Sequence, residues 1–294
     1  MSSPSLPSAE DFMELDDQLA ADGIPIFSRP FAAAKHWADK TGNILFALEN
    51  ERWFQNAYKS LHPSVDFSAD SFLTLAASAQ GISYAVKPPI AYGRVAIQPL
   101  KHVKISEDEV GRLYRRHPKS FWELQWQACD GVDLFMALVN FHPSEERAKN
   151  MMTTAVNQLT ASSRQLIASE LDASLPQGMA MSVELAGKAI LLSMGVTEKE
   201  LRELGHDLPA LAASIAAKVS SPCDATVADV VSELPKYVEV RYDAPILTIV
   251  EAHRIFAHSM FVVADFIRRT NHDQLYWKCM TDSKVPVRTF DQVG

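Results

Sequence analysis

Two Arg–His pairs stand near the C-terminal end of the chain, Arg254 with His258 and Arg268 with His272. Three residues separate the members of each pair, so on a helix the two side chains sit about one turn apart. An imidazole at that distance can shuttle a proton at a phosphodiester, while a guanidinium stabilises charge developing on the phosphorus oxygens. Asp265 lies between the pairs and could hold a histidine in the tautomer this chemistry needs. At about 100° per residue, Arg254, His258, Asp265, Arg268, Arg269 and His272 share one helix face. Ala252, Phe256, Ser259, Met260, Val263, Phe266 and Ile267 share the other. A solvated helix face or a dimer seam carries the same residue types as a functional groove, so the layout alone fits any of the three.

The helix that would position these residues is the clearest element in the sequence. Thr248 and Glu251 form a capping box, and the pattern predicts a helix over 249–270. A run of helices precedes it. Three-four spacing of Met152, Val156, Leu159, Ser163, Leu166 and Ile167 predicts one over 149–171. A second over 179–194 ends at Gly195, and Thr197 with Glu200 forms another capping box. Asp207 caps the next helix with Pro209 in its first turn, where a missing N–H costs little. Residues 236–242 read as extended.

Within these helices, Glu184-Leu185-Ala186-Gly187-Lys188-Ala189-Ile190-Leu191 and Leu204-Gly205-His206-Asp207-Leu208 form two short motifs, and Val240-Arg241-Tyr242 precedes the final helix. Together they resemble the HEPN family of small helical-bundle domains over about residues 149–272. The resemblance implies an up-down bundle that forms a homodimer. It also implies Lys188, His206, Asp207 and Arg241 as binding residues. Active members of that family cleave RNA with an Arg and a His separated by four to six residues. Both pairs here are one residue short of that spacing. Other members lack the motif and bind nucleotides or protein partners. Apart from the resemblance, Gly205 reads as a left-handed helix C-cap and His206 as a junction histidine bonded to backbone or, alternatively, a ligand.

The N-terminal half is less regular. The first 23 residues carry Glu10, Asp11, Glu14, Asp16, Asp17 and Asp22 and no Lys or Arg, which reads as a disordered acidic tail in which Phe12, Met13, Leu15 and Leu19 could form a short amphipathic turn. Helices are expected over 31–39, 43–61 and 68–79. Alternation at Ile82, Tyr84 and Val86, then Pro88-Pro89, predicts short strands or a hairpin arm at a sheet edge over 82–105. Lys87, Arg94, Lys101, His102, Lys104, Arg112, Arg115, Arg116, His117 and Lys119 make this region locally basic, which fits either phosphate contact or an edge charged against strand pairing. A helix from Ser120 to near Phe141 follows, with Trp122 and Trp126 as core residues, and Pro143 marks a boundary.

Composition bounds the rest. The chain has 294 residues, 47% of them hydrophobic and 22% charged, enough apolar material for a sizeable core. A formal net charge of -8 leaves no global basic field for nucleic acid or membrane. No apolar run reaches the roughly 18 residues of a membrane span, and the N-terminus lacks signal-peptide order. Cys129, Cys223 and Cys279 form no CxxC pair and read as reduced thiols of a cytoplasmic protein. His253 and His258 with Cys279 give no metal-ligand spacing, and no P-loop, G-x-S-x-G, H-E-x-x-H or G-x-G-x-x-G motif is present. The expectation is therefore a mainly α protein with no cofactor or metal. An acidic tail (1–23) precedes a smaller α+β or helical module with a short β element (24–145). A HEPN-like bundle (146–275) and a C-terminal tail (276–294), packed on the bundle or free, complete it. The expected role is binding of nucleic acid, nucleotide or a protein partner. Metal-independent RNA cleavage and a purely structural interaction role are the alternatives.

Overall fold

The structure, a computed structural model, describes residues 6–24, 26–42, 44–64, 73–88, 97–236, 247–270 and 275–290. Arg241, His272 and the stretch expected to be extended over 237–242 lie outside them. The protein is mainly helical, with twelve α-helices and one two-stranded sheet among the described residues. It divides into two compact units, residues 1–73 and 74–294.

The first unit holds α1 (Ala9–Ala21), α2 (Arg29–Thr41) and α3 (Ile44–Leu61). The expected acidic tail is thus a folded helix over most of its length. Ser8 caps α1 and forms a capping box with Asp11. Phe12, Leu15 and Leu19, spaced for one helix face, pack against Ala33, Ala34, Trp37, Phe54 and Tyr58. The acidic residues keep to the other face, except Asp16, which is buried and held by Arg29 and His62, each at 3.1 Å.

The second unit opens with a hairpin, β1 (Leu75–Ala79) and β2 (Ile82–Val86). Its antiparallel register runs from Leu75 opposite Val86 to Ala79 opposite Ile82. Gln80 and Gly81 both adopt positive φ at the two-residue turn, which suits the strand twist. The helix expected over 68–79 is therefore a strand from Leu75 onward. Nor is the hairpin a solvated arm: β1 is almost wholly buried, because it packs against three helices.

Those helices belong to one bundle. It comprises α4 (Glu107–Arg116), α5 (Pro118–Val139), α6 (Glu146–Ala168), α7 (Ser174–Ser193), α8 (Glu198–Leu204), α9 (Leu208–Lys218), α10 (Asp224–Glu233), α11 (Ile249–Arg268) and α12 (Leu275–Thr281). The division between units falls at Leu73/Thr74 rather than near 143–147, because α5 packs on α11 and on the hairpin, within the same unit as α6 and α7. Glycine makes two of these approaches possible. A Cβ on Gly131 of α5 would meet Val86 Cγ1 at 3.2 Å, and one on Gly187 of α7 would meet Phe266 Cε2 at 3.2 Å.

Helix α11 is the centre. It packs against α5, α6, α7, α10 and β1. Thr248 accepts from Glu251 N, and the Glu251 carboxylate accepts from Thr248 N, so the capping box forms as the sequence indicates. The expected polar face is not solvated, however. His253, His258, Asp265, Arg268 and Arg269 are buried along with Phe256, Phe261 and Phe266. No helix among the described residues is long and apolar enough to cross a membrane.

Candidate functional site

A cleft of about 370 Å³ lies beside the N-terminal half of α11. Four stretches of the second unit build it: the hairpin turn at 78–81, the start of α5, the first turns of α11, and the segment 286–290 that follows α12. Trp122 and Trp126, four residues apart on α5, contribute their indoles, with Lys119, Glu123 and Gln127 around them. From α11 come His253, Arg254 and His258. Arg288 and Phe290 close the remaining side.

The histidines are held by packing. His253 Nε2 lies 2.6 Å from Ser83 Oγ on β2, and burial lowers its pKa. The His258 ring meets Phe290 edge-on with centroids 5.2 Å apart, and its Nδ1 is 3.8 Å from Glu233 Oε2 on α10. Burial, then the Arg254 and Arg288 cations, push His258 down to about 4, so it stands neutral at pH 7 and can accept a proton or a hydrogen bond. Burial shifts Glu123 the other way, raising its pKa against the pull of Lys119 and Arg288. Arg288 donates to Asp130 Oδ2 at 2.6 Å, with its guanidinium over the Phe261 and Phe290 rings at 4.8 and 4.5 Å. Arg254 is half-buried and forms no ion pair among the described residues. Trp126 Nε1 is buried with no hydrogen-bond partner among them.

The second Arg–His pair has a different setting. Arg268 is 2% exposed. Its Nη2 lies 2.7 Å from Asp130 Oδ1, its Nε 3.0 Å from Asp133 Oδ2, and its guanidinium 4.2 Å over the Tyr276 ring. Asp133 also accepts from the N–H groups of Leu275 and Tyr276, at 2.8 and 2.9 Å, and so caps α12. Arg268 therefore ties α5, α11 and α12 together and reaches no open surface. Asp265 accepts from Arg269 at 2.6 and 2.8 Å and from Ser221 Oγ at 3.1 Å. It orients an arginine, where a histidine was expected, because Arg269 stands one turn along the same helix. Arg269 in turn reaches Val219 O and Asp224, each at 2.8 Å.

The two motif fragments of α7 and the α8–α9 junction come together through Glu184. Its carboxylate oxygens both lie 2.9 Å from His206 Nδ1, and Lys188 Nζ donates to Oε1 at 2.7 Å. His206 thus bonds a side-chain carboxylate where backbone was the plain expectation. Asp207 Oδ1 accepts from Ala210 N at 3.0 Å and caps α9. No family model, curated protein or solved structure matches the chain.

Of the residues singled out by spacing, Arg254 and His258 share the cleft while Arg268 and Asp265 build the bundle; Lys188 and His206, which the resemblance implies, share a carboxylate. Nothing in the sequence points to Glu123, Arg288 or Phe290, whereas Lys119 stands in the basic stretch that fits phosphate contact. Trp122 and Trp126, read as core residues, have an i,i+4 spacing that puts both indoles on one side of α5. No group of three or more His, Cys, Asp or Glu residues able to hold a metal occurs among the described residues.

Proposed function

We propose that this is a binding protein whose cleft takes a ring-bearing anion, a nucleotide or the single-stranded RNA end that presents one, without turning it over. Arg254 carries the reading. Its guanidinium, which forms no ion pair among the described residues, stands at the cleft wall with two tryptophans, the combination that grips a phosphate while a base stacks on an aromatic ring. Lys119 adds a second cation, and Trp126 Nε1 a buried donor in need of an acceptor. The volume falls within the roughly 300–1,000 Å³ of small-molecule sites. The meeting of Glu184, Lys188 and His206 supports the HEPN-like reading of the bundle, and with it a homodimer, which the mass of the protein in solution tests.

Titration with a ribonucleoside monophosphate, followed by tryptophan fluorescence, gives a saturable change. Arg254→Ala weakens the affinity about tenfold or more, the loss of one charge-assisted hydrogen bond. An unsaturable or absent response overturns the reading. The meeting of His258 and Arg254 in the cleft favours a second one, phosphodiester cleavage with His258, neutral at pH 7, as base and Arg254 on the phosphate. Mixed RNA incubated with chelator separates the two. Cleavage by wild type and not by His258→Ala supports turnover; intact RNA with both supports binding alone.

A further inference from the structure

Cys129 and Cys279 are separated by 149 other residues, yet their sulfurs stand 3.6 Å apart, across the packing of α12 on α5. We propose that they form a site of reversible oxidative modification, in which hydrogen peroxide converts the two thiols to a disulfide that ties α12 to α5. This inference is independent of the ligand proposed for the cleft.

The pair is asymmetric in the way such a site requires. Cys129 is fully buried in the middle of α5, whereas Cys279 on the short helix α12 is half-exposed, so peroxide reaches Cys279 first. The hydrogen bond between the two sulfurs, together with burial, raises the pKa of Cys129, and the same bond lowers that of Cys279, so thiolate forms more readily at Cys279. The Cys279 thiolate attacks one peroxide oxygen. An S–O bond forms, the O–O bond breaks, and the departing hydroxide takes up a proton as water, leaving a sulfenic acid. Cys129 then loses its proton and attacks the Cys279 sulfur. The S–S bond forms, the S–O bond breaks, and the second hydroxide leaves as water with that proton. Two thiols and one peroxide give one disulfide and two waters. A bond of about 2.05 Å requires the sulfurs to close by roughly 1.5 Å. Helix α12 has only seven residues, so in the proposed step it moves toward the longer α5. The third thiol has a different neighbour: Cys223 Sγ lies 3.7 Å from Tyr276 Oη, and burial raises its pKa.

The placement gives the bond a consequence. Helix α12 leads directly into the segment 286–290 that closes the cleft. Oxidation therefore anchors this segment to α5 by a covalent link in addition to the Arg288–Asp130 ion pair. Thiol–disulfide exchange with a reductant reverses it.

The test uses the full chain. Reduced protein is treated with equimolar hydrogen peroxide, remaining thiols are alkylated, and the digest is analysed by mass spectrometry. The expected result is a peptide pair joined through Cys129 and Cys279, with Cys223 alkylated as before and two of the three thiols lost. The linked pair disappears in Cys279→Ser, whose side chain is half-exposed and tolerates the change, and persists in Cys223→Ser. Proteolysis after Lys284 or Arg288 slows on oxidation and recovers on reduction. Three results would each overturn the proposal: over-oxidised Cys279 beside alkylatable Cys129, a link through Cys223, or a link only between chains.

Discussion

Replacing Arg268 with alanine lowers the free energy of unfolding by about 3–5 kcal/mol, the usual cost of stranding a buried charge. The side chain is 2% exposed and stands between Asp130 and Asp133, which are themselves buried. Among the described residues, removing it leaves Asp133 with the two N–H groups of α12 and Asp130 with Arg288. Arg268→Lys recovers little, because a single ammonium cannot span two carboxylates as the guanidinium fork does. Arg254→Ala, by contrast, changes stability by about 0.5 kcal/mol or less, since Arg254 has no ion-pair partner among the described residues to strand. Urea denaturation of the two variants beside wild type measures both. An Arg268→Ala protein with an unchanged midpoint would mean that the α5–α11–α12 junction is not held by this charge network.

Stability also falls as the solution is acidified through the histidine range, and His258 is a large part of the reason. Its pKa is depressed from 6.5 to about 4 in the folded protein by burial and by Arg254 and Arg288. Between those two values the unfolded chain binds a proton that the folded chain does not. The contribution is fully present above pH 6.5 and is lost as pH falls toward 4. Its full size is about 3 kcal/mol, from 1.36 kcal/mol per pKa unit. The buried His253, shifted in the same direction, adds to the slope. His258→Gln removes the proton-binding step, so the wild type loses about 3 kcal/mol of stability relative to the variant as pH falls from 6.5 toward 4. Parallel curves would show that His258 titrates as it does in an unfolded chain.

Both effects arise from contacts that span the chain, and that is where sequence reading stops. The capping box at Thr248 and Glu251 is local, so the start of α11 was legible. The same holds for Asp207 at α9 and for Thr197 with Glu200 at α8. The burial of the polar face of α11 was not legible, because its counter-charges Asp130 and Asp133 lie on α5, over 130 residues upstream. A face rich in Arg and His looks solvated until its partners are known. The sequence Leu-Ala-Ala-Ser-Ala at 75–79 has helical propensity, yet it forms a strand because packing against α5, α6 and α11 overrides a weak local preference. In α1 the acid content hid a spacing of Phe12, Leu15 and Leu19 that matches a buried stripe. Cysteine spacing suggested isolated thiols, while the fold brings two of them together. The cleft needs residues from Ser78 to Phe290, and no periodicity links them.

The central claim is that a ring-bearing anion occupies this cleft. The most direct measurement is a crystal structure of the full chain grown with a ribonucleoside monophosphate. The account predicts the phosphate on the Arg254 guanidinium and the base against Trp122 or Phe290, with Arg268 still bound to Asp130 and Asp133. A nucleotide bound only elsewhere, with the cleft holding water, would contradict it.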